Sequence, residues 1–199
     1  MALFSIKILF TNCLQNNKMK FTPNLITISR LFILILVLVS YHYQFFYLGT
    51  VLLIIGLLSD VLDGYIARKF RKGTDLGIFL DQFIDKIFIH SLLLYFLARG
   101  NIDLIIVLVI ILRDNIAIAI RYFAMLKGNI LKSIWSGKLK MWLQGILLIF
   151  ISLNLAGVFS NNFVNIFGTF TAGWTAVSLL HFMLANRITV NSLFESLSV

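Results

Sequence analysis

The sequence predicts an all-α, polytopic membrane protein with six transmembrane helices. Of its 199 residues, 60% are hydrophobic and only 13% are charged, which lies outside the usual range for soluble globular domains. Apolar runs of about 20 residues, the length that crosses a bilayer as a helix, recur along the chain. The basic residues behind the net charge of +9 lie mostly in the breaks between these runs, so the chain lacks the soluble basic face of a nucleic-acid-binding protein.

The six predicted spans follow one another with short polar connections. Pro23, the only proline, lies where it can start the first span, and Gly100-Asn101, Gly128-Asn129 and Ser160-Asn161-Asn162 mark later breaks. The spans cover residues 24–42, 44–62, 77–98, 102–125, 139–159 and 163–185.

Basic residues predict the orientation of these spans. Loops 42–48 and 159–163 carry no Lys or Arg, and the connection near Gly100 carries only Arg99. Because Lys and Arg accumulate on the cytoplasmic side, both termini and the two basic loops are predicted in the cytoplasm, with the protein in the inner or plasma membrane. The basic residues that flank the spans on this side are Lys18, Lys20, Arg30, Lys69, Arg71, Lys72, Lys127, Lys132, Lys138, Lys140 and Arg187.

The chain ends are predicted to lie outside the membrane domain of residues 23–187. Residues 1–22 read as an amphipathic cytoplasmic or interfacial lead-in, because Lys7 interrupts their apolar run and no small-residue cleavage site follows. Met19 is an alternative start. Residues 188–199 are predicted as a cytoplasmic tail. Cys13, the only cysteine, can form no internal disulfide.

Carboxylates concentrate in one stretch of this apolar chain. Residues 59–88 hold five of its eight acidic residues, although an ionised Asp at membrane depth costs at least ~2.5–3.5 kcal/mol. The series Asp60, Asp63, Ala67 and the series Gly77, Asp81, Asp85 each occupy one helical face. Two facing helices would bring four carboxylates together, and such oxygen ligands suit Mg²⁺ or Mn²⁺.

Small and basic residues accompany these carboxylates. Gly64, Ala67 and Gly77 leave room beside them, and Arg68 offers a guanidinium that can bind phosphate in a bidentate manner. Small residues also pack membrane helices together, but packing alone does not account for the carboxylates. The stretch therefore predicts a metal-assisted phosphate site.

The pattern Asp60-x2-Asp63-Gly64-x2-Ala67-Arg68-x8-Gly77-x3-Asp81-x3-Asp85 resembles, at every fixed position, the signature of the CDP-alcohol phosphatidyltransferases. The resemblance implies a six-helix homodimer in which an alcohol attacks the β-phosphorus of a CDP-lipid, here CDP-diacylglycerol, and CMP leaves. It implies two divalent ions held by Asp60, Asp63, Asp81 and Asp85, with Asp85 also the general base. It further implies a nucleotide and diphosphate site formed by Asn24, Gly64, Ala67, Arg68, Thr74 and Gly77.

A second group of polar residues is a candidate binding site for the acceptor alcohol. Arg113, Asp114 and Arg121 lie within the fourth span, where charges are functional candidates, and Asp114 is spaced to orient Arg121. Lys138 and Lys140 open the fifth span, where they could also be positive-inside anchors.

The stretch "LRDNIAIAIR…SGKLKMWLQ" resembles the bacterial phosphatidylglycerophosphate synthases. That resemblance implies sn-glycerol 3-phosphate as acceptor, with Arg113, Arg121 and Lys138 on its phosphate. Asp114, Met141 and Gln82 depart from the usual Glu, Thr and Pro of that subfamily.

Two other functions fit part of the sequence. The Arg113-Asp114 pair also resembles the cardiolipin synthases of the same superfamily. An ion-coupled transporter would explain intramembrane carboxylates, but it leaves Arg68, Arg113 and the motif spacing unexplained. His42, His90 and His181 read as ordinary polar or interfacial residues.

Overall fold

The computed structural model describes residues 29–70, 75–126 and 135–187, and the side chains of 29–59, 83–124 and 135–187. Within these ranges the chain forms helices and no strands, so the all-α prediction is confirmed. The helices are α1 (Ser29–His42), α2 (Phe46–Phe70), α3 (Asp75–Ala98), α4 (Leu104–Leu126), α5 (Trp135–Leu155) and α6 (Asn161–Ala185). The predicted lead-in, the C-terminal tail and residues 24–28 lie outside the described residues.

Helix ends differ from the predicted span ends where charge or glycine intervenes. α2 continues to Phe70, eight residues past its predicted end at 62. Charged side chains end the apolar run there, but Ala67, Arg68 and Lys69 are good helix formers, so the helix continues. α5 begins at Trp135 and ends at Leu155, four residues before each predicted bound. The predicted end lay too far along the chain because the apolar residues Val158 and Phe159 follow the turn at Gly157.

The turns after α1, α3 and α5 share one backbone arrangement. The N–H of Gly157 donates to the Asn154 carbonyl at 2.9 Å, and the N–H of Val158 donates to the Leu153 carbonyl at 2.9 Å. This pair of bonds is the Schellman motif, which needs a left-handed residue. The left-handed residue is Gln44 (φ 64°) after α1, Gly100 (φ 73°) after α3 and Gly157 (φ 80°) after α5. These turns fall in the connections that carry few or no basic residues.

α5 is central to the packing, against α2, α3 and α6, and α4 packs against α3 and α6. A buried polar contact joins three helices: the Tyr41 hydroxyl lies 2.6 Å from Ser152 Oγ, which also contacts the Thr50 hydroxyl. Gly49 makes room for it, because an added Cβ would lie 2.3 Å from the Tyr41 ring. The surrounding fully buried side chains include Val37, Leu53, Leu92, Phe96, Ile110, Leu147 and Ile151.

Large apolar side chains cover the outer faces of the helices. Ile105, Ile166 and Leu184 are 75%, 72% and 70% exposed, which suits contact with lipid better than contact with water. Among the described residues, α5 and α6 are long and apolar enough to cross a bilayer, and α1 and the segment Phe46–Ser59 are shorter apolar helices. These features are characteristic of a membrane protein.

Candidate active site

The residues of the aspartate motif lie on two consecutive helices. Asp60, Asp63, Gly64, Ala67 and Arg68 lie in the C-terminal part of α2. The rest of the motif, Gly77, Asp81 and Asp85, lies in the first half of α3. Their predicted helical placement is therefore found, and of these residues Asp85 is the one whose side chain is described. Thr74 and Asn24 lie outside the described residues.

The register of α2 and α3 can be read from one close contact. A Cβ added to Gly56 of α2 would lie 2.6 Å from the ring of Phe88 on α3, so these residues are level. Helices joined by four residues run antiparallel, and each residue advances both by about 1.5 Å. Moving toward the connection from Gly56 and Phe88 brings four positions into adjoining turns of the two helices: Asp60, Asp63, Asp81 and Asp85.

This register fits the predicted pair of divalent ions. The two helices contribute two of the predicted ligand positions each, within adjoining turns, and carboxylate oxygens are the ligands that Mg²⁺ and Mn²⁺ prefer. Among the described residues no group of three or more His, Cys, Asp or Glu side chains surrounds a common point. Three of the four predicted ligands have side chains outside that part of the chain.

Asp85 has a buried cationic partner on α1. An Arg30 guanidinium Nη1 forms an ion pair with Asp85 Oδ1, and the two side chains are 2% and 14% exposed. From the sequence, Arg30 was placed among the basic residues flanking the first span; the structure buries it against α3. The ion pair fixes the orientation of the Asp85 carboxylate.

A second charged cluster surrounds Asp114, which is fully buried. Its carboxylate contacts Lys140 Nζ of α5 and lies 3.2 Å from Arg113 Nη1. From α3, Lys86 Nζ and His90 Nε2 approach it at 3.3 and 3.5 Å. Three helices therefore place four nitrogen-bearing side chains around one carboxylate.

The charges of this cluster do not balance. When Lys86, Arg113 and Lys140 are all protonated, they carry three positive charges against the single negative charge of Asp114, which leaves two in excess with His90 neutral. Lys140 is 1% exposed and Arg113 8%, and buried charge without a counter-charge is costly. The cluster is thus suited to bind an anion with two negative charges, and Arg and Lys are the side chains that bind phosphate.

The Asp114 cluster adjoins the aspartate motif. Lys86 directly follows Asp85 on α3, and His90 lies one helical turn further along. The anion site and the predicted general base are therefore neighbours on one helix. Residues of both charged sites thus lie within two turns of α3.

The predicted acceptor residues are distributed unevenly around this cluster. Arg113 is part of it. Arg121 lies further along α4, with its guanidinium 5.5 Å above the Phe182 ring, and Lys138 is exposed. Asp114 forms ion pairs with the cluster residues, and it also interacts electrostatically with Arg121, the residue that the spacing had suggested.

The sequence analysis missed Lys86 and set aside His90 and Lys140. One signal could have found Lys86 and His90. They are four residues apart on α3, as Asp81 and Asp85 are, and each lies five residues after one of these aspartates. Lys140 has the same type and location as an ordinary positive-inside anchor, so only burial against Asp114 distinguishes it from Lys138.

The cluster predicts a large loss of stability in the Asp114→Asn variant. The change removes the one carboxylate among three buried cations, and breaking a buried ion pair in this way typically costs ~3–5 kcal/mol. Thermal inactivation of the purified protein in detergent should occur well below the wild-type temperature. Adding Lys140→Met, which removes one cation at similar length, should restore part of the loss. Asp103→Asn, at an exposed position, is the control and should change little.

Comparison with known proteins gives a consistent result. Residues 20–190 match the family model described as CDP-alcohol phosphatidyltransferase. The chain is 36% identical over 103 residues to a Mycoplasma pneumoniae protein named CDP-diacylglycerol--glycerol-3-phosphate 3-phosphatidyltransferase. Proteins of the same name from Rickettsia typhi and Bacillus subtilis are 31% identical over 130 residues and 32% identical over 96 residues.

These matches cover parts of both partners. They span 51%, 63% and 48% of this chain, and 45%, 72% and 50% of the M. pneumoniae, R. typhi and B. subtilis proteins respectively. The chain thus spans about half the length of most of these relatives. The family model, by contrast, extends over nearly all of the described helices and both charged sites. The chain therefore belongs to the CDP-alcohol phosphatidyltransferase family.

Proposed function

We propose that this protein transfers the phosphatidyl group of CDP-diacylglycerol to sn-glycerol 3-phosphate, which gives phosphatidylglycerophosphate and CMP. The observation that carries the proposal is the buried Asp114 cluster, in which three basic side chains meet one carboxylate; one of them, Lys86, follows Asp85 on α3. A phosphate monoester supplies two negative charges near neutral pH, whereas a phosphodiester supplies one. The names of the relatives in M. pneumoniae, R. typhi and B. subtilis point to the same donor and acceptor.

The donor is assigned to the aspartate layer between α2 and α3. Asp60, Asp63, Asp81 and Asp85 would hold two divalent ions, Mg²⁺ or Mn²⁺, which when bound neutralise the diphosphate and stabilise charge on the departing oxygen. Arg68 would contact the diphosphate. The other residues of the proposed nucleotide site are Asn24, Gly64, Ala67, Thr74 and Gly77.

Asp85 is assigned the proton transfer. It accepts the proton of the acceptor hydroxyl, whose oxygen forms a bond to the β-phosphorus of the CDP-lipid. The bond from that phosphorus to the CMP oxygen breaks, and its electron pair leaves with CMP. Arg30, buried against the Asp85 carboxylate, keeps this base in one orientation during the exchange.

The acceptor phosphate is assigned to Arg113, with Lys86 and Lys140 beside it. Arg121 and Lys138 lie toward the end of α4 and the start of α5, which are the same end of the bundle. We place them on the approach to the site, where exposed cations raise the local concentration of an anionic substrate. That end carries the basic connections, so the approach is cytoplasmic in the proposed topology.

We also propose six membrane spans, with both termini in the cytoplasm and the protein in the inner or plasma membrane. The exposed apolar faces and the alternation of basic connections support this topology. A homodimer is proposed on the family resemblance alone.

The acceptor assignment predicts a selective defect in Arg113→Ala. The change removes a charge-assisted contact to the acceptor and leaves the donor site intact, and such contacts are worth ~1.5–3 kcal/mol. The KM for glycerol 3-phosphate should rise roughly ten- to hundredfold, while the KM for CDP-diacylglycerol changes little. Release of CMP at varied acceptor concentrations measures both. Arg99→Ala, at the opposite end of the bundle, is the matched control.

The same assay separates the competing functions. If the wild-type protein ignores glycerol 3-phosphate and consumes phosphatidylglycerol, which has no phosphate monoester, then the acceptor assignment is wrong and cardiolipin synthesis replaces it. If no alcohol supports CMP release but reconstituted vesicles show ion flux, the protein is a transporter.

A further inference from the structure

We infer that Gln144 and Thr175 bind the free secondary hydroxyl of the acceptor and so determine which phosphorylated alcohol is used. This inference rests on the proposed function. It starts from two polar side chains that the proposed reaction does not use. Each is buried in the apolar interior without a hydrogen-bond partner among the described residues.

Gln144 is 1% exposed, and neither its amide oxygen nor its amide nitrogen has a hydrogen-bond partner in the described part of the chain. It lies one helical turn after Lys140 on the same buried face of α5. Helical side chains lean toward the N-terminus of their helix, so the Gln144 amide is directed back toward the turn that carries Lys140. A buried amide that lacks a partner is costly unless a ligand supplies one.

The hydroxyl of Thr175 differs from those of its neighbours on α6. Two nearby buried hydroxyls of α6 donate to carbonyls of this same helix: Thr171 donates to Phe167 O at 2.9 Å, and Ser178 donates to Thr175 O at 2.8 Å. Thr175 is fully buried, yet its Oγ1 has no such partner. Its hydroxyl is therefore available to a group outside α6.

Two contacts place Thr175 level with the Asp114 cluster. Ile106 of α4 packs on Gly168 of α6, where an added Cβ would lie 2.9 Å from Ile106 Cδ1. Arg121 lies over Phe182 of the same helix pair. These parallel helices thus keep a constant offset, and seven residues beyond Ile106 and Gly168 lie Arg113 and Thr175.

The contacts of α5 with α6 place Lys140 near the same level. Ser136 Oγ lies 3.1 Å from His181 Nδ1 of α6, and Leu147 packs near Gly168. Lys140 lies between these two contacts, within about one helical turn of the level of Thr175. Lys140, Gln144 and Thr175 are therefore grouped with Arg113 where α4, α5 and α6 meet.

The acceptor supplies a group that these side chains match. sn-Glycerol 3-phosphate has a phosphate for the cationic cluster, a primary hydroxyl for Asp85 and a secondary hydroxyl between them. A hydroxyl both donates and accepts, and the Gln144 amide and the Thr175 hydroxyl offer both complements. An acceptor without that hydroxyl would leave two buried polar groups unpaired, which is how sites select for a hydroxyl.

The test compares two acceptors in the CMP-release assay with the full chain: sn-glycerol 3-phosphate and 3-hydroxypropyl phosphate. The second has the same phosphate and primary hydroxyl but hydrogen in place of the secondary hydroxyl. Wild-type protein should favour glycerol 3-phosphate in kcat/KM by roughly ten- to hundredfold. In Gln144→Leu and in Thr175→Val this ratio should fall sharply, because kcat/KM for glycerol 3-phosphate drops while that for the analogue changes little.

Thr171→Val is the matched control. Thr171 is buried one turn before Thr175 on α6, but its hydroxyl is already bonded to the helix backbone, so the acceptor ratio should stay at the wild-type value. If the Gln144 and Thr175 variants lose kcat/KM equally for both acceptors, the two residues have a purely structural role and the inference is overturned. A wild-type protein that uses both acceptors equally well would also overturn it. Use of neither would refute the proposed function itself.

Discussion

Replacing Asp63 with alanine is expected to reduce CMP release below detection. Asp63 is one of the four proposed ligands, with Asp60, Asp81 and Asp85, so the change removes a ligand of the proposed pair of divalent ions. Metal assistance in such reactions contributes several kcal/mol, and each 1.36 kcal/mol is a factor of ten in rate. The loss should therefore be at least ~10³-fold. CMP release from CDP-diacylglycerol measures it, and Mn²⁺ titration followed by electron paramagnetic resonance should show weaker ion binding.

Two controls accompany this prediction. EDTA should stop the wild-type reaction, and added Mg²⁺ or Mn²⁺ should restore it. Asp103→Asn removes a carboxylate from an exposed position next to α4 and should leave both activity and Mn²⁺ binding unchanged. Undiminished turnover of Asp63→Ala in a buffer that contains EDTA would refute the metal assignment, whichever acceptor the protein uses.

Replacing Asp85 with asparagine is expected to lower kcat by roughly 10²–10⁴-fold, the range that a general base contributes. The KM values for donor and acceptor should change much less, because asparagine keeps the shape of the side chain. Steady-state CMP release at saturating substrates measures the effect.

Loss of turnover must be separated from loss of the fold, since Asp85→Asn also removes the carboxylate that contacts buried Arg30. The double variant Arg30→Gln/Asp85→Asn removes charge from both partners and allows a neutral hydrogen bond. It should regain thermal stability in detergent without regaining turnover. Recovery of full activity in the double variant would show that Asp85 is not the base.

The helices of this protein could be predicted largely from apolar run length. Five of the six predicted spans coincide with described helices to within a few residues at most ends, because a helix that crosses a bilayer must be both long and apolar. The large difference is at the end of α2. There hydropathy marks where the apolar surface ends, whereas the backbone hydrogen bonds of the helix continue through charged residues.

The aspartate motif could also be recognised from the sequence, because its carboxylates are far too costly in an apolar chain to be incidental. Their common layer follows from spacing plus one contact, that of Gly56 with Phe88. The acceptor residues were harder to predict. Arg113 stood out as a charge deep in a span, but Lys140 resembled an anchor and Lys86 resembled one more cation near the motif.

The sequence by itself determined the all-α class, the order of the helices, the family and the residues of the aspartate motif, since these depend on composition and on spacing within one or two helices. Only the tertiary structure decided which cations share the single carboxylate of Asp114, that Arg30 contacts Asp85, and that Gln144 and Thr175 lack hydrogen-bond partners among the described residues. These facts depend on the rotation and register of helices that are distant in sequence. A shift of one residue turns a side chain by about 100° around its helix, so periodicity alone cannot choose between Lys138 and Lys140, whereas packing against α4 buries only one of them.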